Sequence, residues 1–180
     1  MAESKYEKYI VRKPAMLIHE KGEYGKGVYR EIIPENKKMP GLYIHENESG
    51  IQIAMSKTLV PETHSTVEYG LIWGETALAV KSTTTRPHKH DYDEIFLFIG
   101  TNTDDVDDLG AEVEFWLGEG DDLEAVVFNT SSCMFLPAGI AHFPQIIRNV
   151  KRPFIEIVII PNGTERDLMP ADLKGRPTYD

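Results

Sequence analysis

From Val67 to Ile160 the chain is a succession of short runs rich in β-branched and aromatic residues, with Gly, Pro, Asn or Asp in most of the gaps. The runs are Val67 to Trp73, Thr76 to Ser82, Glu94 to Ile99, Glu112 to Leu117, Glu124 to Phe128, Cys133 to Leu136, Phe143 to Ile147 and Phe154 to Ile160. Segments of four to eight residues cannot supply helices of ordinary length, and their regular punctuation predicts an all-β sandwich or barrel. Upstream, Ala15 to His19, Gly41 to Ile44 and Ile51 to Met55 read as further strands. At 180 residues and 41% hydrophobic, the chain can bury one sizeable core.

Two segments inside this β region carry chemistry. The first is Arg86-Pro87-His88-Lys89-His90-Asp91-Tyr92-Asp93-Glu94, and the second is Pro137-Ala138-Gly139-Ile140-Ala141-His142. Residues two apart on an extended strand point to one face, so His88 and His90 present both imidazoles together. Glu94 cannot join them on a straight strand. Turn-prone Asp91-Tyr92-Asp93 allows the chain to fold back, and the expectation is a hairpin with all three side chains side by side. The Pro137-Ala138-Gly139 turn re-aims the backbone ahead of His142, which supplies a fourth donor. Neutral imidazoles with one carboxylate suit a single divalent Fe, Mn, Zn, Ni or Co ion, and four protein ligands leave positions open on a six-coordinate centre.

These segments resemble the cupins, small β-barrel proteins with a first motif H-x-H-x(3,4)-E and a second motif P-x-G-x-x-H. The resemblance covers roughly residues 66–160 and places the family's metal ligands on His88, His90, Glu94 and His142. It departs from the pattern at Ser82 and Ser131, where the family has glycine, at Ile146 in place of asparagine, and at Gly100, which arrives one residue early. It implies a double-stranded β-helix (jelly-roll) barrel. The expected organisation is an N-terminal arm over 1–40, the barrel over 41–165 and a C-terminal tail over 166–180 that wraps a neighbour or stays loose.

Several other residues enter as candidates. Arg86 either holds a substrate carboxylate at the barrel mouth or is a solvated strand-end charge. Glu156 alternates with Phe154 and Val158, so on an internal face it is a polar neighbour of the site or a proton acceptor. Tyr92 and Phe143 are expected to line the entrance. His19, His45 and His64 lie outside both motifs and read as surface residues.

Composition narrows the partners. With 19 basic against 29 acidic residues, a net charge of −10 and no basic stripe, nucleic acid is excluded as a partner. Thirteen of the acidic residues fall between Asp91 and Glu124, a stretch read as a solvated loop pair. One cysteine, no apolar leader and no run of membrane-spanning length make a soluble, cytoplasmic protein the expectation. The strand from Ile95 to Ile99 is apolar on both faces. Either the N-terminal arm or a second subunit is therefore expected to cover its outside, and a homodimer is the favoured form.

The function expected is a metal-dependent enzyme acting on a small molecule that chelates through oxygen. Dioxygenase-like oxidation and Lewis-acid isomerase or lyase chemistry both fit an ion with open positions. The alternative is a non-catalytic sensor or binding protein that uses the ion to hold its ligand.

Overall fold

The computed structural model describes residues 5–12, 15–19, 29–32, 50–57, 59–78, 87–162 and 169–177. Among them the strands are β1 (Ala15–His19), β2 (Tyr29–Ile32), β3 (Gly50–Met55), β4 (Thr66–Ile72), β5 (Thr76–Leu78), β6 (His88–Lys89), β7 (Glu94–Gly100), β8 (Asp108–Leu117), β9 (Glu124–Thr130), β10 (Ser132–Leu136), β11 (His142–Arg148), β12 (Phe154–Ile160) and β13 (Met169–Pro170). Two short 3-10 turns, Glu7–Tyr9 and Gly120–Asp122, complete the described elements. The expected strand at Gly41 to Ile44 lies outside the described residues, as do the last four residues expected in the Thr76 to Ser82 strand.

The strands form two antiparallel sheets. One has the order β10-β7-β12-β4-β3-β1-β2, and the other β13-β6-β11-β8-β9, with β5 also paired to β11. Of the strands from β4 to β12 in sequence, those in the first sheet lie in the order β4-β12-β7-β10 and those in the second in the order β6-β11-β8-β9, with β5 also on β11. Strands far apart in sequence thus alternate as neighbours within each sheet. That is the order produced when a long antiparallel ribbon winds into a barrel, the jelly roll.

Burial follows the two-residue period of a strand. On β7, Glu94, Phe96 and Phe98 face inward and are buried, while Ile95 and Leu97 are half-buried and Ile99 is exposed. Phe96, Phe98, Phe115 and Phe154 meet in the centre with Ile72, Leu109, Val113 and Ile147. Phe98 stands edge-on to Phe128 at 4.9 Å and Phe96 edge-on to Phe115 at 5.3 Å, the arrangement aromatic quadrupoles favour. This aromatic plug fills the barrel below the histidines. At its lower rim Gly100 is required, because a Cβ there would lie 2.3 Å from the carbonyl oxygen of Asp108.

The described ends of the chain join the sheets at their edges. The described strands of the arm, β1 and β2, extend the edge of the first sheet beyond β3; they are joined to it in plane. Residues 169–177 dock on the chain's own barrel through β13, which pairs with β6, instead of staying loose. Short strands with unpaired edges gain hydrogen bonds by such additions, and composition alone does not reveal which edge accepts them.

Candidate metal centre

His88, His90, Glu94 and His142 are all buried, each at 5% exposure or less. They reach one end of the barrel by separate routes. His88 lies on β6 directly opposite His142 on β11, so antiparallel pairing places the two imidazoles side by side. Their ring centroids are 4.4 Å apart. His90 comes two residues after His88, with centroids 4.7 Å apart. Glu94 opens β7, which belongs to the other sheet. The expected hairpin is therefore corrected: β6 and β7 do not pair, and Asp91 to Asp93 carry the chain across from one sheet to the other. β6 and β7 belong to different sheets, so the turn brings Glu94 back across the barrel interior and not alongside its own neighbour.

The loop that makes this crossing is tied to the second motif. The Gly139 amide donates to the His90 carbonyl at 2.7 Å, and the Ala138 amide donates to the Asp93 carboxylate at 2.9 Å. Gly139 has φ 88, a conformation that favours glycine. The turn Pro137 to Gly139 thus braces the loop carrying His90 as well as delivering His142.

A bulge on β11 then sets the direction of the side chains after His142. Phe143 has φ 71 and the register shifts between His142 and Gln145, so both His142 and Gln145 face the interior. The Nδ1 of His142 lies 3.2 Å from the Ile140 carbonyl; with Nδ1–H donating there, Nε2 is left as the lone-pair donor. That Nε2 is 3.2 Å from Glu94 Oε2, and His90 Nε2 is 3.6 Å from Glu94 Oε1. The donor atoms of His88, His90 and His142 all lie within 4.8 Å of one another. Three imidazole nitrogens and a carboxylate buried together suit a cation, because a carboxylate removed from water needs positive charge close by.

The other candidates divide. Tyr92 stacks on His90, with centroids 4.5 Å apart and planes inclined by 14°. Phe143 packs on His88 and His142 at 5.4 and 5.1 Å. Arg86 lies outside the described residues. Glu156 is internal, but register separates it from the donors: Phe96 pairs with Val158 and Phe98 with Glu156, which puts one inward layer between Glu94 and Glu156. Its carboxylate accepts from Gln145 Nε2 at 3.0 Å. Burial pushes the Glu156 pKa from 4.5 up to about 7, against the opposing pull of that hydrogen bond. Gln145, fully buried on the same strand as His142, was not legible as a site neighbour. On an unbroken strand its side chain would point away from the face that His142 uses, and the bulge reverses this. His64 is exposed, as expected of a surface residue.

A jelly-roll strand order with a triple-histidine cluster at one end of the barrel is what the motif resemblance implies. The chain's likeness to the cupins is one of motif and strand order. No protein-family model matches it, and no curated protein matches its sequence. Among solved structures, the capsular polysaccharide assembling protein CapF from Staphylococcus aureus is 12% identical over 75% of this chain and 33% of its own, with a TM-score of 0.45. This chain therefore spans about a third of that protein's length. A cupin-like protein from Thermotoga maritima is 9% identical, with 73% of this chain and 86% of that one covered and a TM-score of 0.45. A protein with a double-stranded β-helix domain from Klebsiella pneumoniae is 14% identical over 68% of this chain and 79% of its own, with a TM-score of 0.44. Among the described residues, no helix is long and apolar enough to cross a membrane.

Proposed function

We propose that His88, His90, Glu94 and His142 hold one divalent transition ion, Fe, Mn, Zn, Ni or Co, and that the protein is a metal-dependent enzyme acting on a small oxygen-chelating molecule. The observation that carries this is the convergence of four buried donor side chains from two segments of the chain at one end of the barrel. When bound, the ion supplies either oxygen chemistry or Lewis-acid polarisation, as in an oxidoreductase of the dioxygenase kind or an isomerase or lyase. The protein's own contribution is positional. Tyr92 and Phe143 hold the imidazole planes by ring contact, and Phe96 packs edge-on beneath His142. Glu94 serves as a donor and not as the base. Arg86, two residues before His88, is suited to a substrate carboxylate.

The reading extends to a homodimer working in the cytoplasm. On the outer face of the first sheet, Phe135 pairs with Ile95, Leu97 with Ile157, and Ile155 with Leu71, giving a continuous apolar surface across β10, β7, β12 and β4. Phe135 is 57% exposed there. A second copy is the cover this reading assigns. A lone cysteine suits a reducing compartment.

The test is a screen of small carboxylates and enediols against the Fe(II)- and Mn(II)-loaded protein, with and without oxygen. Turnover under either atmosphere supports an enzyme. Tight binding with no turnover under both favours the sensor or binding protein, and neither binding nor turnover removes both readings.

A further inference from the structure

We infer that residues 169–177 form a strap that positions the ligand-bearing end of the barrel, and that Arg176 is the positioning residue that locks it. The inference rests on the metal reading above. β6 is only two residues long, and its pairing with β11 is a single position, His88 opposite His142. So short a strand has little hydrogen bonding of its own to fix His88. The strap supplies the other edge: Met169 pairs with Lys89 and Pro170 with His88, and the Ala171 amide donates to the Pro87 carbonyl at 3.3 Å.

Arg176 then fastens the strap to the backbone around His142. Arg176 is 5% exposed, and its guanidinium donates through Nη1 to the Phe143 carbonyl, through Nη2 to the Gly118 carbonyl and through Nε to the Asp172 carbonyl at 3.0 Å. Phe143 is the residue after His142. Gly118 is bonded to the residue before it, since its amide donates to the Ala141 carbonyl at 2.8 Å. A guanidinium cannot shed its proton, so burying it is tolerable only where its donors are met, and its fixed planar fork selects one arrangement of those carbonyls. Glu119 adds a second fastening. One of its carboxylate oxygens accepts from the Asp172 amide at 2.7 Å and the other from Lys89 Nζ at 2.6 Å, so a single carboxylate joins the strap to the residue between His88 and His90. The Lys89 ammonium first, and then the Asp172 amide, hold the Glu119 carboxyl below the usual carboxylate range. Within the strap, Gly175 at φ 83 makes the turn that returns Arg176 to the barrel.

The strap therefore touches backbone on both sides of His88, the backbone directly after His142, and, through Gly118, the residue before it. Partners at this remove govern metal affinity by fixing ligand orientation, and their loss typically weakens it about 10- to 100-fold. Coupling of this kind is reciprocal, so metal binding must also hold the strap more firmly.

The experiment titrates Co(II) into wild type, Arg176→Ala, Arg176→Lys and Arg148→Ala. Hydrogen exchange of residues 169–177 in wild type is then measured with and without the ion. Arg148 pairs with Glu114 at 2.5 Å at the far end of β11, so its loss controls for destabilisation alone. The expected result is Co(II) affinity about 10- to 100-fold lower in Arg176→Ala, incomplete rescue by Lys, unchanged affinity in Arg148→Ala, and slower exchange of the strap when Co(II) is bound. Arg176→Ala affinity within about twofold of wild type overturns the strap while leaving the metal reading intact, since roughly 10-fold is the least that such a partner is worth. If Arg176→Ala does not fold, exchange in wild type decides: slowing by Co(II) supports the strap, and exchange indifferent to Co(II) overturns it. Wild type that binds no Co(II) removes the metal reading and the inference together.

Discussion

Glu156→Gln should make the protein's stability less sensitive to rising pH. The Glu156 carboxyl lies inside the barrel, where burial raises its pKa from 4.5 to about 7. Below pH 4.5 the group is protonated in both the folded and unfolded chain and does not oppose folding. Between the two values the unfolded chain releases its proton while the folded chain keeps it, so stability falls as pH rises. Each pH unit in that window is worth about 1.4 kcal/mol, which gives a total of about 3 kcal/mol, complete once pH has passed the folded value. Glutamine has the shape of the neutral acid and no such titration. The variant should thus gain about 3 kcal/mol on wild type between pH 4.5 and 8. Urea unfolding of both proteins across this range, in chelator, measures the difference directly. Taking variant against wild type at each pH cancels the histidines, which both share, and the chelator removes any cation whose field would lower the Glu156 pKa. A difference that stays constant within about 1 kcal/mol would mean that Glu156 is not a proton-retaining buried acid.

Four other substitutions probe the same structure. Phe98→Ala, in the centre of the aromatic plug, should cost about 3–5 kcal/mol in denaturant unfolding; a loss under about 1 kcal/mol would contradict the packing described. Gly118→Ala should be destabilising by about 1–3 kcal/mol, because φ is 78 and the new Cβ would meet the Asp122 carbonyl oxygen at 2.2 Å; a melting temperature equal to wild type counts against that close approach. Phe135→Asp, on the exposed outer face, should give a monomer by sedimentation where wild type is a dimer, and a monomeric wild type would remove the dimer reading. Glu94→Gln keeps size and removes a donor charge, so metal affinity should drop about tenfold or more; equal affinity would take Glu94 out of the donor set.

The fold was legible because strand signals of this length and spacing leave few architectures, and the strands expected at Ala15 to His19, Glu94 to Ile99 and Phe154 to Ile160 match β1, β7 and β12 closely. The histidine cluster was legible for a different reason. H-x-H and a turn-delivered histidine are local patterns, and one cross-strand pair, His88 opposite His142, suffices to unite them. What escaped were features set by long-range register. The crossing between sheets at Asp91 to Asp93 comes from the winding of the barrel, not from the turn residues. Gln145 faces inward only because of the bulge at Phe143. Arg176 gives no local signal, since the carbonyls it holds, of Gly118 and Phe143, are 58 and 33 residues away in sequence.

A transition-metal centre built from His88, His90, Glu94 and His142 must be visible in metal analysis of the purified protein. Elemental analysis of wild type, prepared without chelator, should find about one transition ion per chain, with most of it lost in His90→Ala and on acidification as protons compete for the donors. Wild type free of bound transition metal even after incubation with Fe(II), Mn(II), Co(II), Ni(II) and Zn(II), or His90→Ala that retains the full complement, would contradict it.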